Sequence, residues 1–138
     1  MVKDVLTKIK SFAEESPNID SVKIGDVYTV LNNNPANVFP AIIISQDNYN
    51  IDIKNKMMTI KLNIFAVDRD LHDDSNKLDI YEWASDFLYT LARKINKEWI
   101  SNNIVQLYPF SHKFVDVCSG AWMTIIVTVP AGYCDNLE

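Results

Sequence analysis

The hydrophobic period of this chain changes once, sharply, between Met57 and Trp99, and that change limits the folds open to it. From Met57 to Val67 the residues alternate: Met58, Ile60, Leu62, Ile64 and Ala66 share one face, and Thr59, Lys61 and Asn63 share the other. Period two with one apolar side reads as a half-buried strand of an antiparallel sheet. From Asn76 to Trp99 the spacing becomes three and four, through Leu78, Tyr81, Ser85, Leu88, Ala92, Ile95 and Trp99. Ile80, Trp83, Ala84, Phe87 and Leu91 widen that stripe. At 3.6 residues per turn this is a helix of about six turns, apolar over a broad face. It is expected to lie across the whole sheet. Ser75 or Asp74 is the expected N-cap, with acidic residues gathered at the positive helix end.

The flanking segments add to the same two layers. Val2, Val5, Leu6, Ile9, Phe12 and Ala13 form one stripe of an N-terminal helix, which Ser16-Pro17-Asn18 ends. Ile19 to Leu31 reads as a strand, or as a hairpin with a turn or bulge at Gly25. Asn32 to Pro35 is a loop. Phe39 to Ile44 reads as a short strand buried on both faces. Ile104 to Phe110 is a strand whose Pro109 marks an edge or an end. Phe114 to Val129 is the last strand, broken at Ser119-Gly120. The order α-β-β-β-α-β-β predicts an α+β fold. Its sheet is mixed, antiparallel-leaning and of about five strands, with one long helix and an N-terminal helix packed on it. Residues 1–138 form one domain, with a flexible tail over about 131–138.

Composition narrows the function. A chain of 138 residues buries roughly 70% of its unfolded surface, enough for one core without staples. The net charge of −5 and pI near 4.9 argue against a nucleic-acid reader, which carries a basic face. Met1 to Ile9 has no signal-peptide core, and no apolar run nears the ~20 residues a membrane helix needs. The expectation is a soluble, cytosol-made chain with reduced thiols. Cys118 reads as a small core hydrophobe, and Cys134 lies near the loose C-terminus.

Catalytic patterns are missing. His72 and His112 have no helix N-terminus or orienting group beside a thiol, although His112 precedes Cys118 by a short stretch. Three glycines, at 25, 120 and 132, build no phosphate cradle. Asp68, Asp70, Asp73 and Asp74 with His72 form an acidic cluster, but it lacks the glycine and glutamate of a calcium-binding EF-hand loop. It reads as a solvated loop beside a helix dipole. No enzyme, cofactor or metal is expected.

Surface features remain. The polar stretch Gln46 to Lys56 is a loop or a protruding hairpin, either an arm toward a neighbour or an idle surface segment. Trp122 alternates with threonines on the outer strand face, marking an interface or a ring covered by the N-terminal helix or a loop.

Taken in order, these elements resemble the tail-terminator and tail-completion proteins of tailed bacteriophages. The match runs through the N-terminal helix, Phe39-Pro40-Ala41-Ile42-Ile43-Ile44, a polar hairpin loop and the strand Met57 to Val67. It continues through the acidic loop, the long helix and two closing strands, the last carrying Gly120-Ala121-Trp122. That Gly-x-Trp with the late Cys134 also resembles structural proteins of phages of gut Bacteroidetes. Head–tail connector subunits share the pattern. The resemblance implies a structural virion protein, made in the bacterial cytoplasm, that forms a ring of six or twelve copies. It would meet the tail tube and neck proteins while DNA passes the lumen without specific binding. The alternative is a non-catalytic head–tail connector or another protein–protein adaptor domain. Asp47, Tyr49, Asp52, Lys54 and Lys56 are the expected first patch of the subunit interface, and Trp122 marks the second.

Overall fold

The computed structural model describes residues 2–26, 29, 39–69, 76–113 and 118–130. Two helices, α1 (Val2–Glu14) and α2 (Lys77–Glu98), pack on one face of a mixed sheet. The strands are β1 (Ser21–Ile24), β2 (Ala41–Asp52), β3 (Met57–Arg69), β4 (Ile100–Ser101), β5 (Leu107–Lys113) and β6 (Cys118–Pro130). Their order is β1-β2-β3-β6-β4, and β5 pairs with the same side of the sheet as β4, through β6. The α+β expectation holds, with six strands rather than about five.

The centre of the sheet is the β3–β6 pair. Its antiparallel register is unbroken from Met57–Pro130 to Arg69–Cys118. Alternation therefore stays in phase on both strands. Met58, Ile60, Leu62, Ile64 and Ala66 meet Val129, Val127, Ile125, Met123 and Ala121 on one face, and all ten are buried. The helices close this face. α1 contributes Val5, Leu6, Ile9 and Ala13 and lies over β1 and β2. α2 contributes Ala84, Phe87, Leu88, Leu91 and Ile95 and lies over β3 and β6. The long helix thus covers the β3, β6, β4 and β5 side of the sheet and not all of it, because α1 lies over β1 and β2. Leu78, expected on the buried stripe, is 79% exposed; the buried line runs instead through Ile80 and Ala84.

The two helices are tied at their ends. Phe12 and Trp99 pack with centroids 6.2 Å apart, Lys94 Nζ lies 2.9 Å from Glu15 Oε2, and Lys8 pairs with Glu98. These ion pairs are exposed and contribute little.

Three local expectations change. β1 pairs parallel with β2, Ser21 opposite Ala41 to Ile24 opposite Ile44, so it is a single strand and not half of a hairpin. It ends at Gly25, whose N–H donates to the Ile44 carbonyl, and Asp26 then accepts from the Thr29 N–H. The expected continuation through residue 31 lies otherwise outside the described residues. The N-cap of α2 is Asn76 and not Ser75 or Asp74; its side chain donates to the Arg69 carbonyl instead of capping the helix. Residues 70–75, with most of the acidic cluster and His72, lie outside the described residues, as do Cys134 and the expected tail. Pro109 does sit on an edge strand: among the described residues β5 has a partner on one side only.

Ser119-Gly120 does not break β6, since both residues stay in the ladder with β3. Gly120 is needed because the strands come close there. A Cβ on it would lie 1.9 Å from the Ala66 carbonyl oxygen, which is backbone and cannot swing aside. Overpacking between two central strands costs about 1–3 kcal/mol. Gly120→Ala is therefore expected to lower the unfolding free energy by about that amount, read as a lower denaturant midpoint at unchanged slope.

Candidate assembly surfaces

Of the two expected forms, Gln46 to Lys56 takes the hairpin and not the loop. It is the second half of β2 and the turn that follows, and β2 pairs with β3 down to Asp52 opposite Met57. Asparagine and aspartate have poor strand propensity, but the ladder to β3 overrides it. The turn Ile53–Lys56 is closed by Asp52, which accepts from the Asn55 N–H at 3.1 Å and from Asn55 Nδ2 at 2.9 Å. Lys56 takes the left-handed conformation, φ 55°, that brings the chain into β3. The Asn55 backbone hydrogen bond, then its side-chain one, holds the Asp52 carboxyl below the ordinary carboxylate range.

A bulge decides where the side chains of β2 point. Gln46 opposes Leu62 and Asn48 opposes Lys61, so Asp47 is one extra residue. Such an insertion exchanges the faces of every residue beyond it. Tyr49 and Ile51 consequently oppose Ile60 and Met58 and fall on the helix side of the sheet. Tyr49 is 51% exposed, Ile51 57% and, in the turn, Ile53 86%. Lys54 and Lys56 are exposed around them, and Asp47 pairs with Lys61 at 3.4 Å. This half of β2 is also an open edge: β1 covers only Ala41 to Ile44, and no strand among the described residues pairs the outer side of β2 beyond that.

Trp122 lies on the opposite face, in a row of Tyr108, Trp122, Phe65 and Ile43 across four strands. Its ring stacks on Tyr108 at 4.6 Å and on Phe65 at 5.6 Å, and Phe110 meets Phe65 edge-on at 6.4 Å. Beneath them Ala41, Ile43, Val67 and Cys118 form a second, smaller core. Cys118 is buried, as expected of a core hydrophobe. α1 is on the other face, so it is not what covers Trp122. Tyr49 and Trp122 are thus on opposite sides of the sheet and are not brought together.

The strongest surface feature on the far edge was not anticipated. Between α2 and the irregular stretch joining β4 to β5 lies an open groove of about 490 Å³. Leu88, Tyr89, Ala92, Ile104, Leu107 and Met123 are among its apolar lining, and among the described residues its charged lining is Arg93 and Lys97. Ile104 is 88% exposed and Tyr89 62%, with Arg93 held over the Tyr89 ring at 5.6 Å. The groove exists because β4 and β5 leave a gap along β6, closed by Asn102 Oδ1 accepting from the Ile126 N–H at 3.0 Å. Ile51, Ile53 and Ile104 sit in polar runs, and that isolation was the available signal. No described helix is long and apolar enough to cross a membrane. Set against known proteins, the chain matches no family model and no curated protein sequence.

Two outcomes follow. Because the folded Asp52 carboxyl is depressed, its contribution to the turn is present above the ordinary carboxylate pKa and lost as pH falls through the folded value. A carbon-detected titration should give Asp52 a midpoint below that of a free aspartate, and one at or above it would count against the Asn55 contacts. Exposed Tyr49→Ala should shift stability by less than about 0.5 kcal/mol, whereas stacked, half-buried Trp122→Ala should cost about 2–3 kcal/mol in chemical denaturation.

Proposed function

We propose that this chain is a structural subunit of a ring at the tail or neck of a tailed bacteriophage, one that terminates or completes the tail and joins it to the head. The observation that carries the reading is the placement of exposed apolar side chains. Several of them lie at two unlike edges of one sheet: Tyr49, Ile51 and Ile53 at the β2 edge, and Ile100 and Ile104 at the β4–β5 edge with Tyr89 of α2 beside them. Large exposed apolar groups mark contact surfaces. Two unlike patches on each subunit are what head-to-tail assembly uses, and such assembly closes into rings.

The order of elements supports the virion part of the proposal. An N-terminal helix, a strand entered through Phe39-Pro40, a hairpin, a long helix and closing strands resemble, in order, the elements of tail-terminator and tail-completion proteins. In this reading the ring holds six or twelve copies, its partners are the tail tube and the neck, and it resides in the virion. The net charge of −5 suits a lumen that DNA traverses without adhering.

Light scattering from micromolar to millimolar concentration, with negative-stain images, tests it. The expected result is one species of six or twelve copies with an open centre. A chain that is monomeric, or a compact dimer, at every concentration overturns the ring reading.

A further inference from the structure

We infer that the segment following β6, residues 131–138, turns back at Gly132 and seats in the groove between α2 and the β4–β5 stretch of its own chain. The inference goes beyond the ring reading and does not depend on it.

Reach is the first argument. β6 ends at Pro130. Counting back along it, Thr128 pairs with Ile100 and Val127 with Ser101, and the Ile126 N–H donates to Asn102, which lines the near end of the groove. That end lies four residues back from Pro130, or ~13 Å at ~3.3 Å per strand residue. Met123, which lines the groove where β5 begins, is seven residues back, or ~23 Å on the same rise. Six residues follow Gly132, and they span up to ~20 Å when extended. A glycine accepts the backbone angles of a tight reversal. A segment that reverses beside Pro130 therefore runs past β4 and enters the groove. Its path crosses Ile100, which is 69% exposed, on a strand that among the described residues pairs with β6 alone.

Charge is the second. Residues 131–138 carry two acids, Asp135 and Glu138, two large apolar side chains, Tyr133 and Leu137, and no base. The groove offers the complement: an apolar lining that includes Ile104 and Leu107, with Arg93 and Lys97 as its charged lining among the described residues. Other hollows on the surface do not. The one against Pro130 is nearer, but its charged lining is Asp4, Lys8 and Glu98, net negative. The one lined by Phe12 and Trp83 carries Asp86 and Lys94, which balance.

Attachment to β6 supplies the rest. A segment on a short linker meets its site at an effective concentration on the order of millimolar, so a modest contact suffices. In the ring reading this edge also meets a neighbour. A seated segment then keeps the free chain from closing a ring until it is displaced.

Methyl and amide NMR on the full chain tests the inference. Tyr133 and Leu137 should show NOEs to Ile104 and Leu107. The double reversal Arg93→Glu, Lys97→Glu should abolish them, and adding Asp135→Lys, Glu138→Lys should restore them. Arg93 and Lys97 are exposed, so resonances of the β3–β6 core should stay in place in every variant. Wild-type NOEs that are missing, or that lead instead to Val5 and Val129 beside Pro130, overturn the inference. So do NOEs that survive the reversal or fail to return on the swap. Mixing isotope-labelled with unlabelled chains identifies the donor: NOEs that cross between chains overturn seating in the chain's own groove. Light scattering decides the ring reading separately. A wild-type ring without these NOEs overturns this inference alone, and a wild-type monomer that shows them overturns the ring alone.

Discussion

The β3–β6 ladder is the constraint on which the rest of this structure depends. Thirteen consecutive pairs hold two long strands in one register. That register aligns two period-two patterns, so five apolar residues of each strand share one face. A one-residue slip between the strands would put the two sets on opposite faces. The alignment gives the helices something to cover, and the helices exclude water from it. Gly120 is the local condition: it lets β6 approach Ala66 closely enough for the ladder to continue without a break.

The reverse face of the same two strands is organised by rings. Phe65 and Trp122 are directly opposite each other in the ladder, and Tyr108 extends the row onto β5. Aromatic pairs of this kind contribute about 0.5–1.5 kcal/mol beyond the area they bury. They also bury Val67, Cys118 and Ile43 under a partial cover, so one end of the sheet is closed on both faces. The other end, toward the β2–β3 turn, has helix cover on one face and Thr59, Lys61, Asn63 and Thr128 on the other.

Much of this fold was legible in the sequence, because long periodic segments report directly which side is buried. The alternation in β3 and in the last part of β6, the full burial of Ala41 to Ile44 and the long helix all follow from spacing. What was not legible depends on pairing between distant segments. Parity alone puts Tyr49 with Ile43; only the register against β3 reveals the bulge at Asp47 that moves it to the other face. The parallel β1–β2 contact, the two-residue β4 and the gap that forms the groove are likewise products of tertiary pairing. The candidate surface was half legible: the hairpin residues were identified by their polarity, whereas its apolar members and the opposite groove were not. Trp122 was recognised as an outer-face aromatic, but stacking partners on neighbouring strands cannot be read from one strand.

The short length of β1 has a consequence of its own. It ends after four residues because Gly25 takes the last carbonyl of the parallel pair and Asp26 turns the chain toward Thr29. Among the described residues, the length of β2 that is unpaired on its outer side is therefore set by where β1 stops. β1 acts as a sleeve of fixed length over the first residues of β2. Had the turn come a few residues later, the same core and the same helices would enclose a molecule with a sealed flank. The residues that fill the core and the residues that end β1 thus lie in separate parts of the chain.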